Sequence, residues 1–65
     1  MKKRDLIAAA RKVAGARGYG FELLRQGGSH EVWQVAGRRI TIPRHREINE
    51  LTARAILAAV AEAVE

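Results

Sequence analysis

Apolar positions recur at helical spacing at both ends of the chain and alternate along its middle. Leu6, Ala10 and Val13, with Ile7 and Ala14 beside them, predict a helix from an Asp5 N-cap to about Ala14. Lys12 near its end suits the helix dipole, Gly15 is a stop signal, and Gly18-Tyr19-Gly20 reads as a flexible joint. Phe21 to Gln26, Ser29 or His30 to Val35, and Arg38 to Pro43 read as three short strands, parted by Gly27-Gly28 and Ala36-Gly37. Pro43 ends the third because it has no N–H to continue a ladder. Asn49 is a good N-cap for a second helix to Val64, with Leu51, Ala55, Ile56, Ala59, Val60 and Ala63 marking its apolar side. The order is αβββα.

Strand register decides which side chains share a face. A tight turn at Ala36-Gly37 pairs Val35 with Arg38, Trp33 with Ile40 and His30 with Pro43. A two-residue Gly27-Gly28 loop would set Trp33 against Glu22 and leave neither face apolar. A three-residue loop, Gly27-Gly28-Ser29, instead pairs Gln26 with His30, Leu23 with Trp33 and Phe21 with Val35. One face then holds Phe21, Leu23, Trp33, Val35, Ile40 and Ile42. The other holds Gln26, His30, Gln34, Arg39 and Thr41, with Leu24 and Val32 as exceptions. The expected architecture is a two-layer α+β domain: a three-stranded antiparallel sheet with both helices on its apolar face and the other face open.

Composition narrows the partners. The 65 residues suffice for one domain, 1–65, and 48% are apolar, many of them alanine. Lys and Arg number 12 against 7 acids, a net charge of +5 that favours polyanions. From Arg25 to Arg46 the cations Arg25, Arg38, Arg39, Arg44 and Arg46, with His30 and His45, face Glu31 alone. Arginine dominates, the residue suited to bidentate phosphate contact. With no cysteine, neither disulfides nor thiolate metal sites arise. No run approaches the roughly 18 apolar residues of a membrane span, and the basic start leads into an amphipathic segment rather than a signal core. A cytoplasmic setting is expected.

The two histidines sit at the two ends of one hairpin, His30 in Gly-Gly-Ser-His and His45 in Pro-Arg-His. Imidazole can take or give a proton near neutral pH. RNA carries its own nucleophile, the 2′-hydroxyl, so a histidine acting as general base or acid, with nearby cations to neutralise the phosphorane, can cleave it without metal. A lone surface histidine is more often without special function, and residue type and position alone leave catalysis the minority reading. Ser29 could serve as a nucleophile, but a loop hydroxyl more often bonds local backbone. Two histidines with Glu31 on the opposite face make a poor ligand set, so neither metal nor cofactor is expected. Gly27-Gly28 joins two strands and is no phosphate-binding glycine loop. Trp33 and Phe21 belong to the core.

The run Gly-Phe-Glu-Leu-Leu-Arg-Gln-Gly-Gly-Ser-His from Gly20, then Ile-Thr-Ile-Pro-Arg-His from Ile40 and Thr-Ala-Arg-Ala-Ile-Leu from Thr52, resembles the HicA toxins of bacterial toxin–antitoxin pairs. Leu6 to Ala14 matches the family's first helix more loosely. The resemblance implies a double-stranded-RNA-binding-like αβββα fold, metal-independent endonuclease action on mRNA, and a cognate HicB antitoxin that holds the toxin inactive. It also implies that His30, the histidine of Gly-Ser-His, is catalytic. Two departures stand out: Gly27 where many members carry a basic residue, and Leu51-Thr52 where many carry Gly-Thr. Arg25 or Arg44 would have to replace the missing cation.

Together these give an mRNA endoribonuclease, with His30 as acid/base and Arg25, Arg39, Arg44, Ser29 and His45 as RNA contacts. An anionic antitoxin covering His30 would mask such a basic face. Two other readings use the same surface. One is a non-catalytic double-stranded-RNA-like binding module, which has no need of Gly-Ser-His. The other is a protein whose main task is to dock a partner.

Overall fold

A computed structural model describes residues 1–65 and has the expected order: α1 (Lys3–Gly15), β1 (Glu22–Gln26), β2 (His30–Val35), β3 (Arg38–Pro43) and α2 (Glu50–Ala63). The sheet is antiparallel with β2 in the centre. Both helices cover one face. Leu6, Ala10 and Ala14 of α1 and Ala53, Ile56 and Val60 of α2 meet Trp33, Val35, Ile40 and Ile42 there, with Phe21, Ile48 and Val64 closing the edges. No helix is long and apolar enough to cross a membrane.

The β2–β3 register is the expected one along its whole length, because the Ala36-Gly37 turn leaves no freedom. Ala36 at φ 50° and Gly37 at φ 78° form the left-handed pair of a two-residue hairpin turn. The β1–β2 register departs from expectation. Leu23 does pair with Trp33, but a bulge follows, and Arg25 then pairs with Val32 and Gln26 with Glu31. Gln26 therefore faces the helices rather than lying beside His30, and Arg25 moves to the open face. A bulge sets two residues of one strand against one of the other and turns the side chains beyond it over. Leu23, although on the helix side, remains 42% exposed.

Two helix details also differ from expectation. α1 begins at Lys3 rather than after Asp5, and Lys2 at its N-cap offers no side-chain cap. Backbone pairing replaces it: the Lys3 N–H donates to Arg46 O at 2.9 Å, and Lys2 bridges Glu47. In α2, Asn49 caps as expected, its Oδ1 accepting from the Leu51 N–H at 2.8 Å. The buried stripe is Ala53, Ile56 and Val60, while Leu51, Ala55 and Ala59 stay exposed. In an alanine-rich helix several stripes fit the period; Ile56 and Val60 are buried as expected, and Ala53 joins them in place of Leu51, Ala55 and Ala59.

Candidate functional site

His30 opens β2, paired with Pro43, with its side chain exposed on the face away from the helices. The backbone of Ser29 and His30 is held from both sides. The Gly27 N–H donates to His30 O at 2.7 Å, closing the loop, and the Arg44 N–H donates to Ser29 O at 2.9 Å, carrying the β3 pairing one residue past Pro43. Arg44 then returns its side chain to the same loop, Nη1 donating to Gly27 O at 2.9 Å. The imidazole is thus free on an anchored backbone, with one guanidinium tied to the loop that presents it.

Gly27 is bound up in this closure. A Cβ there would stand 3.0 Å from His30 O, so any side chain at 27 forces that carbonyl to shift. Arg44, reaching in from the other strand, brings a cation to this position.

The remaining expected contacts divide into two groups. Arg25 and Arg39 line one shallow depression on the open face with Leu24 and Val32. Arg39 pairs with Gln34, four residues along β2 from His30, or roughly 13 Å at strand rise. Arg39 therefore stands apart from the His30 loop. Ser29 is exposed in the loop, next to His30. His45 is turned away: it lines a basin of about 620 Å³ with Lys2, Arg4, Arg44, Arg46 and the acids Glu31 and Glu47, to which His30 does not contribute. Arg44 borders both the His30 loop and this basin, and is the cation that does so.

Glu31 was not singled out as a functional residue, yet it shapes the electrostatics of the site. It is 4% exposed on the helix side of β2, accepting from Lys3 Nζ at 2.5 Å and from Trp33 Nε1 at 3.0 Å. Burial alone would raise its pKa. The hydrogen bonds from Lys3 and Trp33 and the charges of Lys3 and Arg44 outweigh that and hold it below the ordinary 4.5. The one acid of the basic middle segment is thereby withdrawn from the open face. Its position two residues before Trp33, in a strand alternating inward and outward, was the available signal; that Lys3 answers it was not visible.

Because the folded pKa is depressed, the stabilisation from Glu31 is present above the ordinary value and is lost as pH falls through the folded one. Glu31→Gln is expected to lower stability by about 1–3 kcal/mol near neutral pH. In urea titrations at about pH 7 and about pH 3 the deficit should shrink at the acid end. An equal deficit at both would show that the ionised carboxylate is not what matters.

The sequence model of the HicA toxin of bacterial toxin–antitoxin pairs matches residues 4–61, nearly the entire chain. The chain belongs to the HicA toxin family. It is therefore a toxin of a toxin–antitoxin system, and an antitoxin partner goes with it. No curated protein and no solved structure gives a significant match. Within this toxin, the Gly-Ser-His segment falls where the fold anchors a backbone and leaves an imidazole free.

Proposed function

We propose that this HicA-family toxin is a metal-independent mRNA endoribonuclease of the cytoplasm, held in check by a HicB-like antitoxin, with His30 as the general acid/base. The observation that carries this reading is the pairing at one hairpin end: an exposed imidazole on a doubly anchored backbone, beside a guanidinium fixed to the same loop. His30 takes the proton of a 2′-hydroxyl, the 2′-oxygen attacks the adjacent phosphorus, and the bond to the 5′-oxygen breaks, its proton supplied by solvent or by the imidazolium just formed. Arg44 faces the charge that builds on the phosphorane. Arg25 and Arg39 hold the backbone further along the open face, and Ser29 offers a hydroxyl at the cleavage point. His45 contacts RNA from the basin side.

The reading as a non-catalytic double-stranded-RNA-like module is weaker on one count. A helix N-terminus is a natural phosphate seat, but that of α2 carries Glu50 in its first turn and Glu47 just before it.

The test is cleavage of a synthetic RNA by the purified toxin in excess EDTA. Products ending in 2′,3′-cyclic phosphate are expected, and the same RNA made with 2′-O-methyl groups should stay intact. Cutting of the methylated strand, or dependence on an added divalent cation, would overturn the proposed chemistry.

A further inference from the structure

Leu51 is the most exposed large apolar side chain, 74% accessible in the first turn of α2. It stands over a groove of about 460 Å³ between α2 and β3, floored by Ile40, Ala55, Ile56 and Ala59. The wall opposite the helix is the outer edge of β3. β3 pairs only with β2, and no backbone hydrogen bond outside that ladder reaches Arg38 to Pro43. An open strand edge beside an apolar groove is the arrangement that accepts an added strand: main-chain bonds supply affinity, and alternate side chains drop into the groove.

We propose that the antitoxin docks here, adding a strand to β3 from Arg38 to Ile42, setting apolar side chains against Leu51 and an acidic one against Arg39. The extent follows from the ends: Pro43 has no N–H to offer, and the Ala36-Gly37 turn closes the other side. The other edge of the sheet is less suitable, since the bulge between Leu23 and Arg25 breaks the regular spacing an incoming strand would copy.

The rim selects the occupant. Arg39 lines the groove, Arg38 begins the strand, and Arg54 lies within one helical turn of Leu51. A second copy of this chain would bring its own +5 charge to that rim. RNA would meet the arginines but gain nothing from an aliphatic floor without an aromatic ring to stack on. An acidic, alternately apolar strand satisfies floor, rim and edge together. Arg39 and Thr41 point to the open face, so a protein seated on β3 is beside the face that carries His30 and needs only to lean over it. The proposal stands on family membership and not on the nuclease reading.

The cognate antitoxin is the probe, titrated against purified wild type, Leu51→Asp and, as a control remote from β3, Tyr19→Asp, another exposed large apolar residue. Leu51→Asp should weaken binding roughly tenfold or more and Tyr19→Asp should not. Amide hydrogens of Arg38 to Ile42 should exchange more slowly in the wild-type complex. Unchanged exchange across β3, or unchanged affinity of Leu51→Asp, overturns the proposal. So does a toxin that dimerises on its own and becomes monomeric on Leu51→Asp, since the groove would then seat a second copy. None of these readouts requires RNA cleavage, so they stand apart from the test of the nuclease chemistry.

Discussion

Alanine at Trp33 is expected to leave much of the chain unfolded near physiological temperature. The indole is 6% exposed and stacks on Phe21 with centroids 4.9 Å apart and planes 9° from parallel. The Arg11 guanidinium lies 5.6 Å from the ring centroid, and Nε1 donates to the buried Glu31. Truncating such a ring costs about 3–5 kcal/mol. A domain of 65 residues has only roughly 3–10 kcal/mol to lose. Trp33→Ala also strips Glu31 of one of its two hydrogen-bond donors, so a carboxylate already held against its own desolvation is left with Lys3 alone. Trp33→Phe is the informative companion, because it keeps an aromatic ring against Phe21 while removing the N–H and part of the buried ring area. Urea titrations followed by circular dichroism should rank wild type above Trp33→Phe and that above Trp33→Ala. A midpoint for Trp33→Ala equal to that of wild type would mean that the core is not organised around this ring.

The fold was legible wherever one short-range rule decided it. Ala36-Gly37 admits a single hairpin geometry, and the whole β2–β3 register follows from it. Asn49 caps α2 because its short side chain reaches the Leu51 N–H. The β1–β2 loop was different: its length is compatible with a straight ladder, and only the bulge after Leu23 brings the loop end to pair Gln26 with Glu31. Nothing local announces it. Leu24 was an exception to the face pattern under the straight register, and that misfit was the one visible trace. α1 starts early for a similar reason, since the partners of Lys2 and Lys3 are Glu47 and Arg46, far along the chain.

The site divides in the same way. His30 was placed on the open face by alternation with Trp33 and by its pairing with Pro43, both short-range facts. Arg44 could be brought to the same end of the sheet, but not tied to Gly27 O, because that bond depends on a long side chain folding back across the hairpin. His45 lies beyond the reach of the strand register. Two residues past Pro43 it leaves the ladder, and it lines the basin bounded by α1 and the segment after β3 instead of joining His30. Leu51 had been assigned to the buried stripe by period alone; it lies outside that stripe, and its exposure shows up only once the helix is docked.

Replacing His30 by alanine is expected to lower the rate of RNA cleavage by about 10²–10⁴-fold, the usual worth of a positioned acid/base group. The native fold should survive, because the structure uses only the backbone of residue 30: its carbonyl accepts from Gly27, and its side chain is exposed. The loss should fall on kcat, with KM little changed, since Arg25, Arg39 and Arg44, the residues proposed to hold phosphate, remain. His45→Ala supplies the contrast, as a basin residue should affect KM more than kcat. In cells, wild type should arrest growth and degrade mRNA, while His30→Ala does neither and still binds the antitoxin. Equal toxicity of the two proteins would sink the acid/base role. A large fall in kcat for His45→Ala would mean instead that the two histidines work as a pair across the Arg44 rim.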